Sequence, residues 1–250
     1  MPASLCPAPN GTRFTRHRHT ESPMYWQEDQ DETETSIHDD VVDVLFGLEC
    51  RSIPVDHAYA LSQALLELAP WLAEPGAAIH NIHVAGSQNG WERPEQHSGQ
   101  SLQLSRRTKL CIRAPRMRVP ALRAALEGKT VDVAGSMLRI GPGKERLLSR
   151  EGTIFARYVV GPAGLNEEGF LAWVVDELRA LDIKVRKALC GKTTLLATPE
   201  GPLETRSLML ANLTQDESIR LQQHGLGPNR GMGCGIFLAH KGIDAVQRTT

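Results

Sequence analysis

The sequence predicts an α+β protein made of two tandem ferredoxin-like folds. Three observations support that expectation. Hydrophobic periodicity gives the element order β-α-β-β-α-β, and the order occurs twice. Gly141-Pro142-Gly143 punctuates the chain between the two sets. Near the C-terminus, five glycines fall between Gly225 and Gly235, where a helical run gives way to a short apolar strand. The expected division is a flexible acidic leader over 1–40, an N-terminal domain over 41–143 and a C-terminal domain over 144–250. The order of elements repeats, but the residues do not.

The elements follow in turn. Val41 to Glu49 is rich in β-branched and apolar residues and reads as the first strand. Asp56 is the expected N-cap of a helix over His57 to Leu72, with Leu61, Ala64, Leu65 and Leu68 at helical spacing and Pro70 marking its end. Ala78 to Ala85 alternates like a strand, and Ser87 to Gln100 is a long polar loop or a solvent-facing hairpin. Leu102 to Ala114 is a basic strand region, Val119 to Leu126 a helix, and Thr130 to Ile140 a strand or strand pair. In the second set, Gly152 to Val160 is a strand. Asn166 caps a helix that runs to Leu181 with acids in its first turn. Strands follow at Ile183 to Leu189 and Arg206 to Leu213. Thr214 to His224 is the last helix, and Ile236 to Ala239 the last strand.

Hydrophobic residues make up 41% of the chain but aromatics only 5%, so Leu, Val, Ile and Ala must fill the cores. The net charge of −1 conceals an asymmetry. Residues 1–40 hold eight acids and three arginines, whereas residues 104–150 hold twelve Lys or Arg against three acids. Such a concentration is either the footprint of a polyanion or a solvated strand face. The five cysteines are widely spaced and form no CxxC pair. That excludes a zinc motif and a disulfide framework, so no metal or other cofactor is expected and the thiols suit a reduced cytoplasmic setting. No apolar run approaches the roughly 20 residues of a membrane span, and the N-terminus lacks a secretory apolar region.

The glycine-rich turn joins helix to strand, the reverse of a dinucleotide-binding glycine loop. Its amides, with Gly227, Arg230, Gly231 and Gly233, could cradle a phosphate; the alternative is a tight turn with glycine caps. The run His224-Gly225-Leu226-Gly227 and Arg230 to Phe237 resembles the C-terminal motif of the repeat-associated mysterious protein (RAMP) superfamily. More narrowly, the chain resembles the CRISPR endoribonucleases that cut precursor CRISPR RNA at its repeats. Leu213 to Gln222, Pro54 to Leu61 and Arg106 to Leu110 are similar to the Myxococcus-type, class I branch of that family. The resemblance runs from about Asp43 to Lys241. It implies tandem RRM-like folds of the RAMP kind. It also implies metal-independent cleavage that leaves a 2′,3′-cyclic phosphate and a 5′-OH, and retention on the 3′ hairpin within an effector complex. The implied partners are the hairpin repeat RNA and other Cas subunits, in a setting that could be transposon-associated. A guide-RNA scaffold that does not cut would share these features. An ordinary tandem RNA-recognition protein would carry an aromatic strand motif, and none is present.

RNA cleavage without metal needs a base for the ribose 2′-OH, an acid for the leaving 5′-oxygen and a group that stabilises the charged phosphorane. His57 is the first candidate, because the helix N-terminus favours its neutral form. The resemblance also places a catalytic histidine near this helix, often close to a tyrosine, which here is Tyr59. His80 and His83 form a second set, of which one strand face can carry only one. The resembling sequences usually have His-Pro where this chain has His80-Asn81. His97, His224 and His240 are weaker candidates. Arg106, Arg107, Lys109 and Arg113 are expected phosphate contacts, with Arg107, Lys109 and Arg113 on one strand face and Arg106 on the other. Lys184, Arg186, Lys187 and Lys192 are expected to grip a hairpin stem or to form a solvated hairpin.

Overall fold

In the computed structural model, residues 40–83 and 100–240 are described. The leader and His97 lie outside the described residues. The N-terminal half contains β1 (Val41–Glu49), β2 (Ser52–Pro54), α1 (Ala58–Leu68), β3 (Ala78–Ile79), β4 (Ser101–Gln103), β5 (Lys109–Pro115), α2 (Val119–Leu126), β6 (Thr130–Val133) and β7 (Ser136–Leu147). Its sheet has the order β3-β5-β1-β7-β6, all antiparallel. Without the added edge strand β6, this is the ferredoxin-like order. The alternation of β1 sends Val42, Val44 and Phe46 into the core, where Leu61 and Leu65 of α1 and Leu122 and Leu126 of α2 meet them.

The C-terminal half repeats the plan with β8 (Ile154–Val159), α3 (Glu167–Ala180), β9 (Lys187–Leu196), β10 (Leu203–Ala211), α4 (Gln215–His224) and β11 (Leu238–Ala239) in the order β11-β8-β10-β9. Asn166 Oδ1 caps α3 by accepting the Gly169 N–H. Thr214 and Glu217 form a reciprocal capping box on α4. The tandem ferredoxin-like architecture expected from the element order is the one observed.

Several local expectations fail for physical reasons. Gly141-Pro142-Gly143 is not a break, because it lies inside β7. The β1–β7 register shifts there, so Gly141 and Pro142 together oppose Gly47 in a bulge, where proline's missing N–H costs no ladder bond. A Cβ on Gly143 would stand 2.7 Å from the Phe46 ring, so glycine is what lets the strand close over that core residue. Pairing then continues to Leu147, opposite Val42, and the expected division after residue 143 cuts a strand. The strand expected at 183–189 begins at Lys187 and extends to Leu196. Ile183 instead packs below α3, and Glu217 holds the segment after it by accepting the Lys184 N–H and the Arg186 guanidinium.

The two halves meet across the outer face of the first sheet, at Arg113. Its guanidinium is 0% exposed. Nε and Nη2 donate to the two oxygens of Asp43 at 2.8 and 3.3 Å, and Nη1 donates to the carbonyls of Gln222 at 2.7 Å and Phe237 at 3.2 Å. Arg146 donates to the same carboxylate at 3.0 Å. These contacts outweigh the burial of Asp43 and hold its pKa far below the usual carboxylate range. Arg113→Ala removes the main partner of a buried carboxylate, so urea unfolding should show a loss of about 3–5 kcal/mol. A loss of less than about 1 kcal/mol would mean that Arg113 does not hold the halves together.

Candidate functional site

The glycine-rich turn leaves α4 at Gly225 and makes a short 3-10 turn over Arg230–Met232, with left-handed Asn229 and Gly233 on either side. Several of its glycines serve close packing. A Cβ on Gly227 would run into the Val160 carbonyl, and one on Gly233 would lie 2.7 Å from the Asn81 side chain. The amides of Leu226, Met232, Gly233, Cys234 and Gly235 all donate to backbone carbonyls. Gly231 is the one of the three expected phosphate-contacting glycines that borders open space, close to Ser62 Oγ. Arg230 is also committed. Its Nη1 donates to the carbonyls of Gln223 at 2.9 Å and His224 at 2.7 Å, and burial lowers the guanidinium pKa to about 10. In this structure Gly227 and Gly233 serve close packing, and Arg230 Nη1 caps the end of α4.

The turn forms one wall of a cleft of about 660 Å³. Tyr59, Ser62, Gln63 and Leu66 of α1 form the opposite wall, one helix face at spacings of three and four residues. The β9–β10 connection closes the cleft with Thr198, Glu200 and Leu203. Asp56 contributes to that closure. It does not cap α1, since the N-cap is His57, and its Oδ2 accepts the Ala197 N–H at 3.0 Å.

Of the three expected catalytic residues, Tyr59 lines this cleft and the two histidines do not. His57 is 2% exposed. Its Nε2 accepts the Ile82 N–H at 3.0 Å, which leaves Nδ1 protonated and donating to the Pro54 carbonyl at 2.8 Å. Both ring nitrogens are thus used to tie the start of α1 to the end of β2 and to the segment after β3, and no lone pair remains for a ribose hydroxyl. His80, 7% exposed, points to the outer sheet face instead of the cleft. Its Nε2 stands 3.5 Å from Asp43 Oδ1, too long for a good hydrogen bond, and has no other hydrogen-bond partner. His83 and His224 are exposed, and His224 Nδ1 contacts the Arg220 carbonyl at 3.0 Å. His240 packs against Phe155 with ring centroids 5.8 Å apart.

The basic residues divide differently from the expectation. Arg106 and Arg107 do not alternate on a strand. Both lie exposed in a turn pinned by Ser105 and Thr108, and β5 starts only at Lys109, also exposed. Arg113, two pleats further on, is the buried bridge between the halves and offers nothing to a phosphate. Lys184, Lys187 and Lys192 are exposed. Arg186 is exposed but paired with Glu217 at 2.6 Å. Lys187 and Lys192 both lie on β9, separated by a bulge in which Gly191 and Lys192 together oppose Ser207.

Asp43, His80 and Cys111 bring ligand-type atoms within 4.8 Å of one another. Arg113 and Arg146 occupy both carboxylate oxygens, and their charges oppose a cation there. Burial lowers the His80 pKa below 6.5, while Asp43 partly offsets the shift. As pH falls through about 6.5, the unfolded chain therefore takes up this proton before the folded one, and stability drops. The thermal midpoint of the wild type should fall between about pH 7.5 and pH 5.5, and His80→Gln should flatten that part of the profile. A midpoint that rises instead as pH falls through this range would mean that His80 carries a proton at neutral pH in the folded state.

A sequence model of the Cas6 family, described as Cas6 Crispr, matches residues 42–242. The CRISPR-associated endonuclease Cas6 of Myxococcus xanthus (strain DK1622) is 29% identical over 197 residues, covering 79% of this chain and 80% of its own length. A solved structure described as CRISPR associated protein Cas6 superposes with a TM-score of 0.58 at 10% identity, over 80% of this chain and 100% of its own. A Cas6-related gene product from Pyrococcus furiosus gives 0.56 at 10% identity, over 79% and 97%. A RAMP protein binding different RNA substrates gives 0.54 at 13% identity, over 80% and 100%. At such identities the superpositions share the fold. The family match, by contrast, runs from the second residue of β1 to just past β11, taking in both halves and the glycine-rich turn, and it establishes that this chain belongs to the Cas6 family of CRISPR proteins.

Proposed function

We propose that this chain is an endoribonuclease that cuts precursor CRISPR RNA within its repeats, without a metal, leaving a 2′,3′-cyclic phosphate and a 5′-OH. The observation that carries the reading is the cleft between the glycine-rich turn and the Tyr59 face of α1, in a Cas6-family chain similar to a named endonuclease. In the reaction the 2′-oxygen bonds to phosphorus and the P–O5′ bond breaks. A base accepts the 2′-OH proton, and an acid supplies one to the 5′-oxygen. Tyr59 offers a phenol at the cleft, and His83 offers an exposed imidazole beyond β3. His57 acts through position, holding α1 to the end of β2 and to the segment after β3 and so fixing where Tyr59 stands. Exposed Arg106, Arg107, Lys109, Lys184, Lys187 and Lys192 supply cations for the phosphates of the repeat hairpin. After cleavage the protein stays on the 3′ hairpin as a subunit of an effector complex with other Cas proteins.

The closed environments of His57 and His80 favour a second reading, a scaffold that holds guide RNA without cutting. Incubating a labelled hairpin repeat with the protein in EDTA separates the two. Under the nuclease reading the wild type cleaves, and Tyr59→Phe slows the cut by about 10²–10⁴-fold with binding retained. Tight binding without any product would establish the scaffold instead. His57→Ala leaves the buried Ile82 N–H without its acceptor and should cost roughly 1–3 kcal/mol in denaturant unfolding. Lost cleavage at unchanged stability would make His57 catalytic after all.

A further inference from the structure

We propose that the cleft between α1 and the glycine-rich turn receives one unpaired nucleobase of the repeat and reads its identity, while the phosphates run outside it. The inference rests on the RNA reading above and names what the cleft takes. Its volume of about 660 Å³ falls within the range of small-molecule sites. Its charge is wrong for a phosphate. The cation in its lining is Arg230, whose Nη1 is spent on helix carbonyls and whose Nε and Nη2 are buried away from solvent. Two carboxylates, Glu74 and Glu200, stand at the same walls. Among the turn's amides at the cleft, that of Met232 is spent on the Asn229 carbonyl.

The rest of the lining suits a base. Leu66, Leu72, Leu203 and Met232 supply apolar surface, with the soft thioether of Met232 suited to a π-face. Gln63 and Asn229, both exposed, stand on the two opposite walls and carry amide groups, each with donors and an acceptor that can read a base edge. Asn229 holds its place at a φ of 64°, in a conformation that asparagine and glycine tolerate. Duplexed bases present no free face, so a base entering here comes from a loop, a bulge or the flank of the hairpin. Tyr59 borders the same cleft, which sets the base beside the phenol assigned to the chemistry.

An abasic scan of the repeat tests the idea, with affinities measured for the wild type and for Gln63→Ala combined with Asn229→Gly. The glycine keeps the left-handed turn and removes the amide. In the wild type, removing the base at one unpaired position should weaken binding roughly tenfold or more. In the double variant that penalty should largely vanish, the preference among bases at that position should relax, and the slope of affinity against salt should stay unchanged because no phosphate contact is lost. Equal abasic penalties in both proteins, or a salt slope reduced by about one unit in the variant, would overturn the base-reading cleft and leave the nuclease reading intact. A wild type that binds no repeat RNA at any position would overturn both.

Discussion

Two arginines converge on the C-terminal end of α4, and the placement of every functional element follows from that meeting. Arg113 comes from a strand of the first half and donates to the Gln222 carbonyl. Arg230 comes from the glycine-rich turn and donates to those of Gln223 and His224. A helix ends in carbonyls that lack intrahelical partners and in partial negative charge, so two guanidiniums there satisfy acceptors and oppose the dipole together. Neither arginine could be buried alone. Arg113 is held because Asp43 supplies a bidentate counter-charge and Phe237 one more acceptor, while Arg146 completes the carboxylate's contacts. The result fixes α4, the turn that leaves it and the outer face of the first sheet as one rigid body.

That body explains why the turn needs its glycines. With Arg230 folded back onto α4, the chain must double on itself within a few residues and pass close to Val160, Asn81 and its own Leu226. Close approach is the use made of the missing Cβ atoms at Gly227, Gly233 and Gly235. The same compaction presses the turn against α1. His57 anchors the start of that helix to the backbone on both sides, and Asp56 draws the β9–β10 connection over it. Helix face, turn and hairpin end then enclose the cleft from three parts of the chain.

The elements were legible because their signals are local. Alternation marked β1 and β8, the Asn166 and Thr214 caps marked two helix starts, and the order alone implied both sheets. The site was less legible because its determinants are distant. Arg113 reads as one more cation in a basic strand until Asp43, seventy residues away in sequence, is placed beside it. His57 reads as a free imidazole because its partners are backbone atoms of Pro54 and Ile82, which leave no trace in side-chain pattern. Gly141-Pro142-Gly143 carries the composition of a turn, and only the Phe46 ring beneath shows that it is a bulge. One signal could have been weighed more heavily. A lone aspartate among valines in β1 implies a buried counter-charge on a neighbouring strand.

The separation of charge from the cleft has a physical cause. A solvent-facing lysine meets a phosphate with little reorganisation, whereas an unpartnered cation kept in a half-enclosed cleft would suffer the desolvation already visible in the lowered pKa of Arg230. The Arg106–Lys109 turn and the surroundings of β9 accordingly carry solvent-exposed cations, while the cleft lining is mainly amides, aliphatics and a phenol, with Glu74, Glu200 and the committed Arg230 as its charged groups. On the proposed reading, affinity for a polyanion and discrimination among bases rest on different residues, and would change independently by substitution. A chain whose net charge is only −1 can hold RNA on those terms, because grip depends on where its cations stand and not on their sum.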